Sequence, residues 1–280
     1  MLDVIIFNVE LGQSIFFYPR NNPEYGMFVD CGHTQDFHPL DFLLEANLIH
    51  LNENVHTLGN LTLTNYDHDH FSGLPYLLEK TNIWTVRLPK NIHEDELEKI
   101  KPEKTEALEK VCHLKRTYTG SAENHVPPYK ISTFSLEKKD FPGAEINTNH
   151  LSQVVFVEYG GSTICISGDL EVPAWEKILM DREVKEWLQK TDIYVAAHHG
   201  RENGYAEEIF EHCSPECIIL SDKKIMHGTQ EGMVQRYSNR VLGDGVAFNR
   251  GSSRKVLTTR SDGHIWIRFK EGGVREYASV

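Results

Sequence analysis

Between Thr64 and Gly73 the chain reads Thr-Asn-Tyr-Asp-His-Asp-His-Phe-Ser-Gly, which places Asp67, Asp69 and His70 within four residues. An apolar run (61–64) precedes them and a helical pattern follows. If the chain leaves a strand there and turns sharply, two carboxylates and an imidazole converge. Oxygen and imidazole ligands crowded in this way suit a hard or borderline divalent ion such as Zn²⁺ or Mn²⁺. An Asp-rich turn capping the helix near Gly73 is the competing reading, because Asp and Asn favour such positions. Further polar groups stand after strand-like runs: 147–150, Gly168-Asp169, His198-His199-Gly200 and Met226-His227-Gly228. Loops at one edge of a rigid sheet are where sites are usually assembled.

The elements that must position these residues can be read from apolar periodicity and turn residues. Runs at 4–9, 14–18 and 27–30 read as a β-meander. A helix is expected at 40–47, a strand at 60–64 feeding the Asp/His loop, and a helix at 74–80 behind it. A strand follows at 84–88. The Glu/Lys-rich stretch from 94 to about 114, interrupted by Pro102, reads as solvated surface helices forming an insertion at about 92–125. Strands are expected at 129–136, 154–159 and 163–167, the last two forming a hairpin around Gly160-Gly161. Beyond it come a helix at 175–188, a strand at 193–197, a helix at 206–212, a strand at 217–220 and a helix at 230–237. A hairpin of 255–259 and 264–268 through Ser261-Asp262-Gly263 closes the chain. The expected class is α/β (α+β), a four-layer αββα sandwich in which 1–280 form one domain.

Composition narrows the function. The chain is 40% hydrophobic and 25% charged, as ordinary globular proteins are. No apolar run approaches the roughly 20 residues needed to span a bilayer. The N-terminal residues lack a basic n-region and read as a first strand rather than a signal peptide. Five scattered cysteines fit a reducing, cytoplasmic setting. A net charge of −12 argues against a protein that coats nucleic acid. The window 221–260 nevertheless carries eight basic residues against Asp222, Glu231 and Asp244, about +5, and could hold an anionic substrate.

Taken in order, these loops resemble the metallo-β-lactamase superfamily, whose central motif is HxHxDH after a strand. Here Asn65-x-Asp67-x-Asp69-His70 fits that register, with Asn and Asp in place of the first two histidines. Within the superfamily the sequence is most similar to the soluble β-lactamase-like domain of ComEC-type competence proteins. Phe7-Asn8-Val9-Glu10-Leu11-Gly12-Gln13-Ser14, Phe28-Val29-Asp30-Cys31-Gly32, Ser167-Gly168-Asp169-Leu170-Glu171 and the segment from Asp192-Ile193 to His198-His199-Gly200 carry that likeness.

The resemblance implies a site for one or two divalent ions, Zn²⁺ or Mn²⁺ with Mg²⁺ as a third candidate. Asn65 and Asp67 would serve one ion, Asp69 and His70 the other, and Asp169 would bridge them. His227 stands where the family often has its last metal histidine, His150 is an uncertain contributor, and His68 is expected to point away. Replacing imidazoles by oxygen donors shifts preference toward harder ions. The implied activity is metal-dependent hydrolysis, a phosphodiesterase or nuclease acting on a phosphodiester such as a nucleic acid or nucleotide. Asp69 or Asp169 would orient a water or take its proton, and His198 or His199 would protonate the departing oxygen. Hydrolysis of an amide, ester or thioester, and a degenerate binding module, are the rival readings.

Overall fold

The computed structural model describes residues 1–101, 103–122, 125–143, 145, 147–224, 230–251 and 253–280. The first half of the chain runs β1 (Leu2–Ile6), β2 (Ser14–Pro19), β3 (Met27–Cys31), α1 (Pro39–Glu45), β4 (His50–Asn52), β5 (Val55–Thr62), α2 (His68–Phe71), α3 (Leu74–Lys80), β6 (Thr81–Arg87), α4 (Glu94–Ile100) and α5 (Glu106–Thr117). The second half runs β7 (Lys130–Ser135), β8 (Gln153–Tyr159), β9 (Ser162–Ile166), α6 (Val172–Ile178), α7 (Arg182–Leu188), β10 (Ile193–Val195), β11 (Cys217–Leu220), α8 (Met233–Ser238), β12 (Val246–Ala247), β13 (Ser253–Arg254), β14 (Val256–Thr258), α9 (Thr259–Asp262), β15 (Ile265–Phe269) and β16 (Arg275–Ser279). Short 3₁₀ turns link several of these.

Two large sheets result. One has the order β16-β15-β1-β2-β3-β5-β4, with β6 also paired to β5; the other has the order β14-β11-β10-β9-β8-β7. Their inner strands, such as β1, β2, β8, β9, β10 and β11, are largely apolar on both faces, as strands buried on both sides must be. Val4, Ile6, Ile15 and Val29 meet Val155, Ile164, Val195 and Ile219 in a core between the sheets. The alternate residues face outward onto helices. Ile5, Phe16 and Phe28 pack with Leu40 and Leu43 of α1, Leu74 and Leu77 of α3, and Leu108 and Val111 of α5. On the other side Phe156, Cys165, Tyr194 and Ile218 pack with Trp175 of α6, Leu188 of α7 and Tyr237 of α8. The result is the expected αββα sandwich. No helix among the described residues is long and apolar enough to cross a membrane.

Some elements depart from expectation. The stretch 255–268 is not a hairpin: β14 pairs in parallel with β11, whereas β15 pairs with β1 and β16 in the other sheet. The Ser-Asp-Gly segment that looks like a hairpin turn includes the end of α9 and carries the chain from one sheet to the other. The helix expected at 175–188 is two, because the Asp181 side chain accepts from Glu183 N–H and caps α7 afresh. α5 is not a solvated surface helix. Its buried residues Ala107, Leu108, Val111, Cys112 and Leu114 recur at helical spacing and belong to the first helical layer.

Candidate metal centre

Every residue of the centre follows the end of a strand on one edge of the sandwich. β3 ends near Asp30, β5 leads through 63–66 into α2 with Asp69 and His70, β9 leads to Asp169, and β10 leads to His198 and His199. The segment carrying Asp69 is set against two glycines. A Cβ on Gly32 would lie 2.2 Å from the Asp69 carbonyl oxygen, and one on Gly12 would lie 2.7 Å from it. The same carbonyl accepts the Gln13 N–H at 3.2 Å.

Single ligand atoms of Asp69, His70, Asp169 and His199 all lie within 4.8 Å of one another. His70 Nε2 is 3.1 Å from Asp169 Oδ1, and His199 Nε2 is 3.4 Å from both Asp69 Oδ2 and Asp169 Oδ1. The opposite ring nitrogens are tied back. His70 Nδ1 faces Asp30 Oδ2 at 2.7 Å, and His199 Nδ1 faces the Ser221 carbonyl at 3.0 Å. Acceptors at those positions place the ring proton on Nδ1 and leave Nε2 as a lone pair aimed inward, the usual support of a ligating histidine. Asp30 is itself fixed: it accepts Thr64 N–H at 2.6 Å, Thr64 Oγ1–H at 2.5 Å and Gln13 Nε2–H at 2.9 Å.

His70 Nε2, His199 Nε2 and Asp169 Oδ1 are buried and have no hydrogen-bond partner among the described residues. Buried polar atoms left unpaired are costly. Three of them converging, with a carboxylate and imidazole donor set, fit a divalent cation of the Zn²⁺ or Mn²⁺ kind. The electrostatics agree. Burial pushes the Asp169 carboxyl up, but the charges of His70 and His199 outweigh it and hold it far below the usual range. Burial likewise disfavours charge on His70 and His199, yet Asp169 with Asp30, and Asp169 with Asp69, raise them. A cation at this point would take the place of those protons. The Asp69 side chain, 39% exposed, opens this otherwise buried cluster to solvent.

The remaining predicted residues lie as follows. Asp67 is ion-paired to Lys101 and accepts Thr148 Oγ1–H at 2.9 Å. Asn65 is buried, its oxygen taking Tyr66 N–H at 2.6 Å and its amide donating to Asn149 at 3.0 Å. Both side chains are engaged by protein groups in this arrangement, Asp67 through Oδ1. His68 is exposed. His150 stacks on Phe141 and meets Glu171 at 3.1 Å. His227 lies outside the described residues. His198 sits beside the cluster: Arg201 donates to its Nε2 at 3.1 Å, so the ring proton is on Nδ1, 3.5 Å from Glu171. Burial, against the pull of Asp169, lowers its basicity.

Sequence reasoning gave no role to Asp30, Ser221, Lys101 or Glu171. Asp30 and Glu171 lie inside quoted motifs, so the signal was present but unassigned. Glu171 accepts from Asn149 and Asn203 and meets two histidines, a hub assembled from three loops that no local pattern reveals.

A family model described as the metallo-beta-lactamase superfamily matches residues 29–209, which spans β3 to the turn before β11 and all four clustered residues. The chain belongs to the metallo-beta-lactamase superfamily. This is a superfamily of metal-dependent hydrolases. Among solved structures the protein is similar to Igni18, a metallo hydrolase from Ignicoccus hospitalis, at 9% identity and TM-score 0.54, over 96% of this chain and 100% of that one. It is also similar to CmlA, a diiron β-hydroxylase from Streptomyces venezuelae, at 11% identity and TM-score 0.53, over 99% of this chain and 54% of that one. At such identities the likeness concerns the fold alone. No curated protein matches the sequence.

Proposed function

We propose that this metallo-beta-lactamase-superfamily protein is a hydrolase of phosphodiesters that works with one divalent ion held by Asp69, His70, Asp169 and His199. The convergence of three buried, unpartnered ligand atoms carries the reading. An ion there supplies Lewis acidity toward a phosphoryl oxygen and a nucleophilic water near neutral pH. The family's other half-site is altered in this chain, and the engagement of Asp67 by Lys101 supports a single ion, because an ammonium already neutralises that carboxylate. The phosphodiester class and the closeness to ComEC-type proteins rest on the motif likeness. The five free, buried cysteines support a reducing setting.

The protein's own side chains have separable tasks. Asp69, half open to solvent, accepts a hydrogen bond from an incoming water and orients it. His199 has both of its nitrogens committed, so contact with the departing oxygen falls to His198. With Nε2 occupied by Arg201, neutral His198 keeps its proton and offers Nδ1–H, 3.5 Å from Glu171, as a hydrogen-bond donor to the departing oxygen, which takes its proton from solvent.

The test is hydrolysis of bis(p-nitrophenyl) phosphate with Mn²⁺ or Zn²⁺, beside p-nitrophenyl acetate, for wild type, Asp169→Asn and His199→Ala. We expect metal-dependent phosphodiester turnover reduced at least about 100-fold in both variants. Turnover that survives both substitutions would remove the site, and ester cleavage at an equal rate would remove the substrate class.

A further inference from the structure

β6 pairs only with β5 and β7 only with β8, so one side of the sandwich presents two strand edges that are open among the described residues. A cleft of about 800 Å³ lies between them, lined by Arg87, Lys90, Lys115, Tyr118, Thr133 and Gln153 among others. That volume is in the range of small-molecule sites. The segment 63–66 separates it from the metal centre: Gln153 in the cleft donates to the Leu63 and Thr64 carbonyls, whereas Thr64 Oγ1 contacts Asp30 and His70 on the far side.

The charges in this cleft are unusual. Arg87 makes no side-chain hydrogen bond and no ion pair with any described residue, and its NH1 is buried without a partner. Lys115 donates to Tyr66 OH at 2.7 Å and to the Pro89 carbonyl at 3.0 Å, and among the described residues it has no carboxylate within ion-pair distance and no partner for its third N–H. The nearest acid in the cleft, Glu94, lies within 3.6 Å of both Arg116 and His93. Burial lowers Arg87 and pushes Lys115 down to about 8. In a chain of net charge −12 acids are plentiful, yet among the described residues no carboxylate forms an ion pair with Arg87 or Lys115. By contrast half of the basic residues in the window seen in the sequence are paired locally: Arg236 with Glu202, Arg240 with Glu207, Arg254 with Asp262 and Arg260 with Asp222.

Aromatic rings adjoin the cations. The cleft continues past Tyr118 to Tyr25, Trp84 and His125. Tyr25 and His125 lie 4.9 Å apart, Trp84 and His125 lie 5.6 Å apart, and Trp84 is 43% exposed on the edge strand. Trp84 and Arg87 are three residues apart, about 10 Å of strand. Cations beside exposed ring faces are the pairing that phosphate and base require together.

We propose that this cleft binds a nucleoside monophosphate, its phosphate held by Arg87 and Lys115 and its base against the Trp84–Tyr118 ledge. This site is distinct from the metal centre and does not depend on the hydrolytic reading. Isothermal titration of the intact, metal-loaded protein with AMP, adenosine and inorganic phosphate tests it. AMP should bind at least tenfold more tightly than either fragment. Arg87→Gln, Lys115→Met and Trp84→Ala should each weaken AMP by about fivefold or more, while Asp169→Asn leaves it unchanged. Arg87→Gln removes no internal bond, so its melting temperature should equal or exceed that of wild type. Three results would overturn the proposal: no AMP binding at millimolar concentration, binding lost in Asp169→Asn but intact in Arg87→Gln, or equal affinity for phosphate and AMP.

Discussion

The carboxylate of Asp30 collects hydrogen bonds from Thr64 and Gln13 and holds the proton of His70 on Nδ1, so it governs a nitrogen on the far side of the ring. An amide at this position would set an N–H against Nδ1–H or force the other tautomer. Asp30→Asn should therefore weaken metal binding by about 10–100-fold with the fold intact, as measured by competition with a chromogenic chelator. Asp222 poses a different problem. It is buried 3.3 Å from Arg260, its Oδ1 has no partner, and burial pushes its carboxyl up to about 6 despite that guanidinium. Because the folded value exceeds the unfolded one, the native state binds more protons between about pH 4 and 6. Stability contributed by this group is therefore present below pH 4 and lost as the pH rises through 6. Asp222→Asn should remove that slope. Relative to wild type, the variant should gain on the order of 2 kcal/mol between pH 4 and pH 7 in urea unfolding of chelator-treated protein. A constant difference across that range would show that Asp222 does not titrate there. This residue was legible only as an acid in a basic window, since its burial depends on a contact with Arg260 far along the chain.

The turn after β10 places His198 (φ 49°), His199 (φ 56°) and Gly200 (φ 76°) successively in the left-handed region. Two non-glycine residues there cost roughly 1–2 kcal/mol each. The strain is tolerated because the turn brings His199 Nε2 into the centre and ties His198 N–H to the Gly168 carbonyl at 3.0 Å. His198→Gly should raise the unfolding free energy by about 1 kcal/mol while lowering phosphodiester turnover, a separation of stability from activity that calorimetry and kinetics can read together. The opposing case is Gly32→Ala, where the new methyl would meet the Asp69 and Gln13 carbonyls at 2.2 and 2.9 Å; about 3 kcal/mol of destabilisation is expected in urea unfolding. At this scale the sequence was readable wherever alternation or a turn residue acts locally, as in β1, β2, β3 and the β8–β9 hairpin. It misled where a local pattern has two tertiary uses. Ser261-Asp262-Gly263 suits a tight hairpin as well as the end of α9 before a sheet crossover, and only the parallel pairing of β14 with β11 distinguishes them. Likewise the Glu and Lys residues of α5 mask an apolar stripe whose partners, Leu74 and Leu77, lie in α3.

Across the whole molecule, the centre joins the two halves of the sandwich. Asp69 and His70 follow β5 of the first sheet, whereas Asp169 and His199 follow β9 and β10 of the second. Strand ends and motif order point to Asp69, His70 and Asp169 as candidate ligands, whereas His199 was expected to act on the departing oxygen, because a pair of adjacent histidines does not show which ring turns into the cluster. The engagement of Asp67 by Lys101 was not legible, because the two lie 34 positions apart with three helices and a strand between them. The same division has a thermodynamic consequence. An ion bound to side chains from both sheets binds the native state and not the unfolded chain, where the four residues are dispersed. At a free concentration 100 times its dissociation constant it contributes about 2.7 kcal/mol. For a chain of 280 residues that corresponds to a melting-temperature rise of about 5 °C. Adding Mn²⁺ or Zn²⁺ to chelator-treated protein should produce that shift in wild type, and Asp169→Asn should abolish most of it. Bound metal measured by mass spectrometry should level off at one ion per chain. A plateau at two would mean that Lys101 yields Asp67 to a second ion, and a shift that persists in Asp169→Asn would place the stabilising ion elsewhere in the molecule.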